Sequence, residues 1–141
     1  MIPNKTTAYA LTILGFMATR NEAMCSAEYL HQQLNIPRRY LRRFLTDLAS
    51  HGFLKGSSGR NGGFIFAQDL KGTNLAMVIN KLEGYDAINN CIPGFSCCIV
   101  DKPCIMHDPW MEARSKMVGT LTNTTLADLK DKYQIDLIKN I

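Results

Sequence analysis

Pro37–Phe66, PRRYLRRFLTDLASHGFLKGSSGRNGGFIF, decides the fold of this 141-residue chain. A wheel of about 100° per residue with Arg38 at zero puts Arg39, Arg42, Arg43 and Thr46 within about 140° of it. Tyr40, Leu41, Phe44, Leu45 and Leu48 occupy the opposite side, between about 200° and 340°. A helix so divided can pack one face on a core and present four guanidiniums and a hydroxyl outward, as a major-groove recognition helix does. Arginine can neutralise phosphates or bond bidentately to guanine, so the pattern leaves open which of the four reads bases.

His51-Gly52 ends this helix, and two β-prone segments follow, Phe53-Leu54-Lys55 and Phe64-Ile65-Phe66. Between them Gly56-Ser57-Ser58-Gly59-Arg60-Asn61-Gly62-Gly63 makes a hairpin tip. Its glycines allow close backbone approach, with Arg60 able to enter a minor groove or bind phosphate and Ser57, Ser58 and Asn61 beside it as polar contacts. It is not a nucleotide-cradling loop, because no lysine and hydroxyl residue follow the last glycine.

Upstream, Tyr9, Ala10, Ile13, Leu14 and Met17 recur at helical spacing, predicting a helix from about Thr6 to Arg20. Ser26 can cap a second helix over Ala27–Leu34, and Asn35-Ile36 makes a tight turn before Pro37, which suits the first position of the third. The fold expected is mainly α with a small β wing: a winged helix-turn-helix.

Charge agrees with this reading. The chain carries a net +4, but between Ile36 and Arg60 the bases Arg38, Arg39, Arg42, Arg43, Lys55 and Arg60 face only Asp47. A basic patch on an otherwise near-neutral chain is the footprint of a polyanion partner, here double-stranded DNA, although a solvated charged face has the same composition. No apolar run reaches the roughly 18 residues of a membrane helix, and no secretory signal pattern opens the chain, so a cytoplasmic protein without membrane contact is expected.

Four of the five cysteines lie between Cys91 and Cys104, followed by His107, one of three histidines. In a reducing compartment such clustering favours metal ligation or thiol chemistry over a disulfide framework. Cys25, apart from the cluster, reads as a small core residue. Thiolates bind iron well, and imidazole can replace a thiolate on an iron-sulfur cluster, so three cysteines and His107 make a full set of four ligands. Two further readings stand beside it: a metal-free reversible disulfide joining Cys97 or Cys98 to Cys91 or Cys104, and zinc, although short Cys-x-x-Cys knuckles are missing.

Thr73–Leu82 predicts a fourth helix buried through Leu75, Val78, Ile79 and Leu82. Asp108 and Pro109 can start a longer helix to about Asn123, with Trp110, Ala113, Met117 and Leu121 as its apolar stripe. A long helix beyond a small domain suits pairing with a second copy. The expected division is residues 1–83 for DNA binding, 84–107 for sensing, and 108–141 for a dimerisation helix and a C-terminal helix. An enzyme is not indicated, since His31, His51 and His107 show no evident pairing with a nucleophile and orienting acid. An accessory protein that binds through the apolar helix and never touches DNA is the alternative from another class.

Tyr9-Ala10, Ile36-Pro37-Arg38-Arg39-Tyr40-Leu41, Gly59-Arg60-Asn61-Gly62-Gly63-Phe64 and Thr125-Leu126-Ala127-Asp128-Leu129 together resemble the IscR/NsrR/CymR family of bacterial winged-helix transcription regulators, the Rrf-two type. The resemblance runs in order through nearly the whole chain. It implies a homodimeric repressor or activator, with a repressor favoured, sensing iron-sulfur status, redox state, nitric oxide or sulfur metabolites; a two-fold dimer predicts a pseudo-palindromic operator. It also implies ligands at three spaced cysteines, with a histidine three residues after the last in the iron-sulfur-biogenesis regulators, where His107 stands. Nitric-oxide-sensing relatives take an acid from the first helix. This chain has none before Glu22, which favours a 2Fe-2S over a 4Fe-4S cluster. Family spacing fits Cys91 to Cys97 and Cys98 to Cys104 but not both at once, so either Cys97 or Cys98 is the middle ligand. Relatives also place arginine directly before the first wing glycine, where this chain has Ser58 and carries Arg60 two residues on.

Overall fold

The computed structural model describes residues 4–20, 23–84 and 104–132. Its elements run α1 (Lys5–Thr19), α2 (Ala27–Leu34), α3 (Arg38–Ser50), β1 (Leu54–Ser57), β2 (Gly63–Phe66), α4 (Leu75–Glu83), α5 (His107–Asn123) and α6 (Leu126–Lys132).

Several helix starts have a local cause. Asn4 Oδ1 accepts the N–H of Thr7 (2.8 Å), so α1 begins one residue before the expected Thr6. Ser26 Oγ accepts from Tyr29 (3.1 Å) and opens α2 where expected. Asn35 then takes the left-handed conformation (φ 54°) that ends α2, and the adjoining carbonyl of Ile36 lies 2.7 Å from His31 Nδ1. Pro37, expected at the first position of α3, stands one residue before it and makes no side-chain cap; its fixed φ of −54° sets the entry of the chain into the helix. Asn74 Oδ1 accepts from Met77 (2.9 Å) and starts α4 two residues later than Thr73, which is buried instead beneath the preceding turn.

The helices enclose one core of Ile13, Leu14, Phe16 and Met17 from α1, Leu30 and Leu34 from α2, and Leu41, Phe44, Leu45 and Leu48 from α3. Phe53, Leu54, Leu70, Val78 and Leu126 complete it. Burying each such side chain stabilises the fold by about 1.5–3 kcal/mol before entropy is charged against it.

The wing is a two-stranded antiparallel hairpin pairing Leu54 with Phe66, Lys55 with Ile65, Gly56 with Phe64 and Ser57 with Gly63. It starts one residue after Phe53, whose N–H turns back to the carbonyl of Leu48 to close α3 (3.0 Å). Cys25 anchors its inner strand by two backbone bonds, to the carbonyl and from the N–H of Phe64 (2.9 and 2.8 Å).

The chain's C-terminal part returns to this unit. Thr125 N–H and hydroxyl both donate to Asp128 Oδ2 (2.8 and 2.9 Å), a capping box that opens α6. Leu126 N–H donates to Thr73, and α6 packs on α1. α5 begins at His107 rather than after Asp108. Asp108 lies in its first turn and Pro109 is the third helical residue, tolerated because N–H groups there lack helical partners in any case. No residue of α5 is fully buried; Val118 and Leu121 hold it against Ala76 and Ile79 of α4.

Candidate nucleic-acid interface

α3 divides as the wheel requires, with one exception. Leu41, Phe44, Leu45 and Leu48 are buried, while Arg39, Arg42, Arg43 and Thr46 are exposed. Tyr40, expected on the packing side, is instead 53% exposed and stacks on Phe44. Its angle on the wheel is apolar, but it falls in the first turn of α3, beyond the edge of the core.

The four arginines are not equivalent. Arg38 Nε and Nη2 donate to Glu28 Oε2 and Oε1 of α2 at 2.6 and 2.7 Å. Among the described residues no ion pair engages Arg39, Arg42 or Arg43. The Thr46 hydroxyl donates to the carbonyl of Arg42 (2.8 Å), leaving its oxygen lone pairs to accept. Among the described residues the outward face therefore carries three guanidiniums without an ion-pair partner. Nothing in the local sequence pointed to Glu28, because it lies ten residues from Arg38 and meets it only through the turn between α2 and α3.

Ser57, Ser58, Arg60 and Asn61 are all exposed at the wing, whose tip is closed by the Gly62 N–H to the Gly59 carbonyl (3.0 Å). Gly59 takes φ 105°, and a Cβ on Gly62 would lie 2.4 Å from the Ser57 carbonyl oxygen, so the turn requires glycine at both. At the base, a Cβ on Gly63 would lie 2.6 Å from the Cys25 oxygen.

Of the expected metal ligands, Cys91, Cys97 and Cys98 lie outside the described residues. Cys104 is exposed, and its carbonyl accepts the N–H of His107 (2.9 Å), the first residue of α5. Among the described residues no three His, Cys, Asp or Glu side chains converge. Cys25 is buried, as expected of a core residue, and burial pushes its thiol pKa up against the opposing effect of Arg20. No helix among these residues is long and apolar enough to cross a membrane.

A helix-turn-helix with a two-stranded wing and a free arginine face defines the winged-helix class of regulators. Residues 4–132 match the family model described as "Rrf2: Iron-dependent Transcriptional regulator", and the chain belongs to that family. It is 27% identical over 131 residues to a protein of Aquifex aeolicus named as an HTH-type transcriptional regulator, covering 92% of this chain and 91% of that one. It is 23% identical over 128 residues to the HTH-type transcriptional regulator IscR of Escherichia coli, covering 90% and 78%. The structure of CymR, the global cysteine regulator of B. subtilis, shares the fold with a TM-score of 0.81 at 23% identity, over 95% of this chain and 99% of that one. The chain is thus a transcription regulator and not an enzyme.

Proposed function

We propose that this regulator binds a pseudo-palindromic operator as a homodimer, acts as a repressor, and responds to iron-sulfur, redox or nitric oxide status through its cysteine-rich segment. The observation that carries the DNA-binding part is the outward face of α3, where Arg39, Arg42 and Arg43 have no ion-pair partner among the described residues. Phosphate contacts from such a face fix the register, and bidentate bonds to base edges read sequence. Arg60, Ser57, Ser58 and Asn61 of the wing extend the contact toward the adjacent groove, and Arg38 and Thr46 flank it on α3.

The sensing part rests on donor chemistry. Cys91, one of Cys97 and Cys98, Cys104 and His107 would hold a cluster, 2Fe-2S in preference to 4Fe-4S, and the exposed Cys104 beside His107 fits that role. When bound, such a cluster supplies a redox-active, labile group whose potential an imidazole ligand raises. The printed names agree at a coarse level: the family model is described as iron-dependent, and one relative is IscR.

Transmission runs through the chain's own residues. His107 starts α5, and Val118 and Leu121 join that helix to Ala76 and Ile79 of α4, itself part of the unit expected to bind DNA. The incompletely buried α5 supplies the face for a second copy. Two recognition helices must meet half-sites ~34 Å apart, so a small rotation at α5 weakens binding to both together.

Purification without oxygen, with visible absorption and iron, sulfide and zinc content, tests the sensing part. Two irons and two sulfides per chain support it; a colourless protein after reconstitution replaces it with the metal-free disulfide switch. Salt-dependent retention of genomic DNA fragments tests the DNA-binding part, and its absence would leave the accessory-protein reading.

A further inference from the structure

Phe44 stands between two tyrosines. Its ring centroid lies 5.4 Å from that of Tyr9 and 6.5 Å from that of Tyr40, with interplanar angles of 22° and 20°. The three rings form a near-parallel ladder from α1 to α3, buried at Phe44 and open to solvent at Tyr40. The core does not demand this exposure, since Leu41, Phe44, Leu45 and Leu48 already complete the packing face of α3.

The ladder floors an open pocket of about 270 Å³, with Lys5 and Thr6 from the first turn of α1 and Arg43 from α3 at its rim. Among the described residues no acid lines it, and neither cation has an ion-pair partner. Glu83, which reaches this end of α1, accepts the N–H of Asn4 (2.8 Å). At about 270 Å³ the pocket stands at the lower edge of the ~300–1,000 Å³ typical of small-molecule sites, and it is open to solvent rather than enclosed. It is also continuous, through Arg43, with the arginine face of α3.

The geometry points to a docking site for one nucleotide of DNA backbone, flanking the bases that α3 reads. The deoxyribose lies against the exposed Tyr40 ring, and the phosphate sits between Lys5 and Arg43 with the hydroxyls of Thr6 and Tyr40 as donors. This assignment rests on the DNA-binding reading and adds α1 to the interface. A contact of this kind sets the register of the recognition helix and carries no sequence information.

The test measures binding of the full chain to a fluorescent mixed-sequence duplex of about 30 base pairs, and to a genomic fragment retained by the wild type, across salt. Lys5→Gln should lower the slope of log affinity against log salt by about 0.9 on both DNAs. Tyr40→Ala should weaken both by about 3- to 10-fold, while Tyr40→Phe, which keeps the ladder, should lose less. Lys5 is exposed, so its variant decides the matter even where Tyr40→Ala fails to fold. Wild-type affinity and slope in Lys5→Gln, beside weakened binding by Arg39→Gln, would remove the pocket from the interface and leave the DNA reading intact. Loss confined to one DNA sequence would make these residues base readers, and a changed oligomeric state with unchanged DNA binding would make the pocket a contact between copies; either overturns the assignment. No salt-dependent binding by the wild type would overturn the DNA reading, and this contact with it.

Discussion

Arg38 at the start of α3 and Glu28 at the start of α2 meet fork to fork, Nε to Oε2 at 2.6 Å and Nη2 to Oε1 at 2.7 Å. Gln32 Nε2 adds a third bond to the same carboxylate (3.2 Å). Both partners are about half exposed, so the pair adds little to stability but ties α3 to the helix before it. It also answers the charge of one arginine in four.

Arg38→Gln should therefore leave the salt slope of DNA binding nearly unchanged, whereas Arg39→Gln should lower it by about 0.9 if that guanidinium neutralises one phosphate. Glu28→Gln should raise the slope by releasing Arg38. Anisotropy titrations of the three variants give the comparison, and an equal loss in Arg38→Gln and Arg39→Gln would show that DNA displaces Glu28 from its partner.

The same pair has a pH signature. The hydrogen bond from Arg38, reinforced by its charge, lowers the Glu28 pKa from its ordinary 4.5 to about 2. A carboxyl depressed on folding contributes stability above its unfolded value and loses it as pH falls through the folded one. The difference in urea midpoint between the wild type and Glu28→Gln should thus shrink between about pH 4.5 and 2. Because the pair is exposed that difference is small, and a carboxyl NMR titration of Glu28 with its midpoint at the ordinary 4.5 would mean the pair is not formed in solution.

Gly63→Ala should destabilise the fold by about 1–3 kcal/mol, because the new Cβ would fall 2.6 Å from the Cys25 carbonyl oxygen, a backbone atom that cannot step aside without breaking the wing's anchor. Gly59→Ala meets no atom within 4 Å and pays only for its φ of 105°, roughly 1 kcal/mol. Urea unfolding of both variants ranks them, and equal losses would argue against the Cys25–Phe64 anchor.

Cys25 and Cys104 should differ sharply toward an alkylating reagent in the reduced, chelator-treated protein. Cys104 is exposed and should react at once, whereas the buried Cys25, its pKa raised by desolvation, should react only after unfolding. Mass spectrometry after brief iodoacetamide treatment reads both, and labelling of Cys25 at the rate of Cys104 would sink the distinction.

Local chemistry made much of this molecule legible in advance. Ser26, Asn35, Pro37 and Gly52 punctuate α2 and α3 because capping, left-handed turns and fixed φ depend on single residues. Val78 and Ile79 of α4 are buried as their spacing required, and the wing pairs around its glycines. The exposed Arg39, Arg42, Arg43 and Thr46 follow from periodicity alone, since opposite sides of a helix cannot both face the core.

What the sequence by itself determined is therefore the order of the elements, the packing face of α3 and the types of side chain offered to a partner. Only the tertiary structure decided that Glu28 occupies Arg38, that Tyr40 opens outward over Tyr9 and Phe44, that Cys25 pins the wing, and that α6 returns to pack on α1. The reason is the range of the forces involved: caps and periodicity act within a turn or two of chain, whereas these contacts join residues brought together only when separate helices share a core.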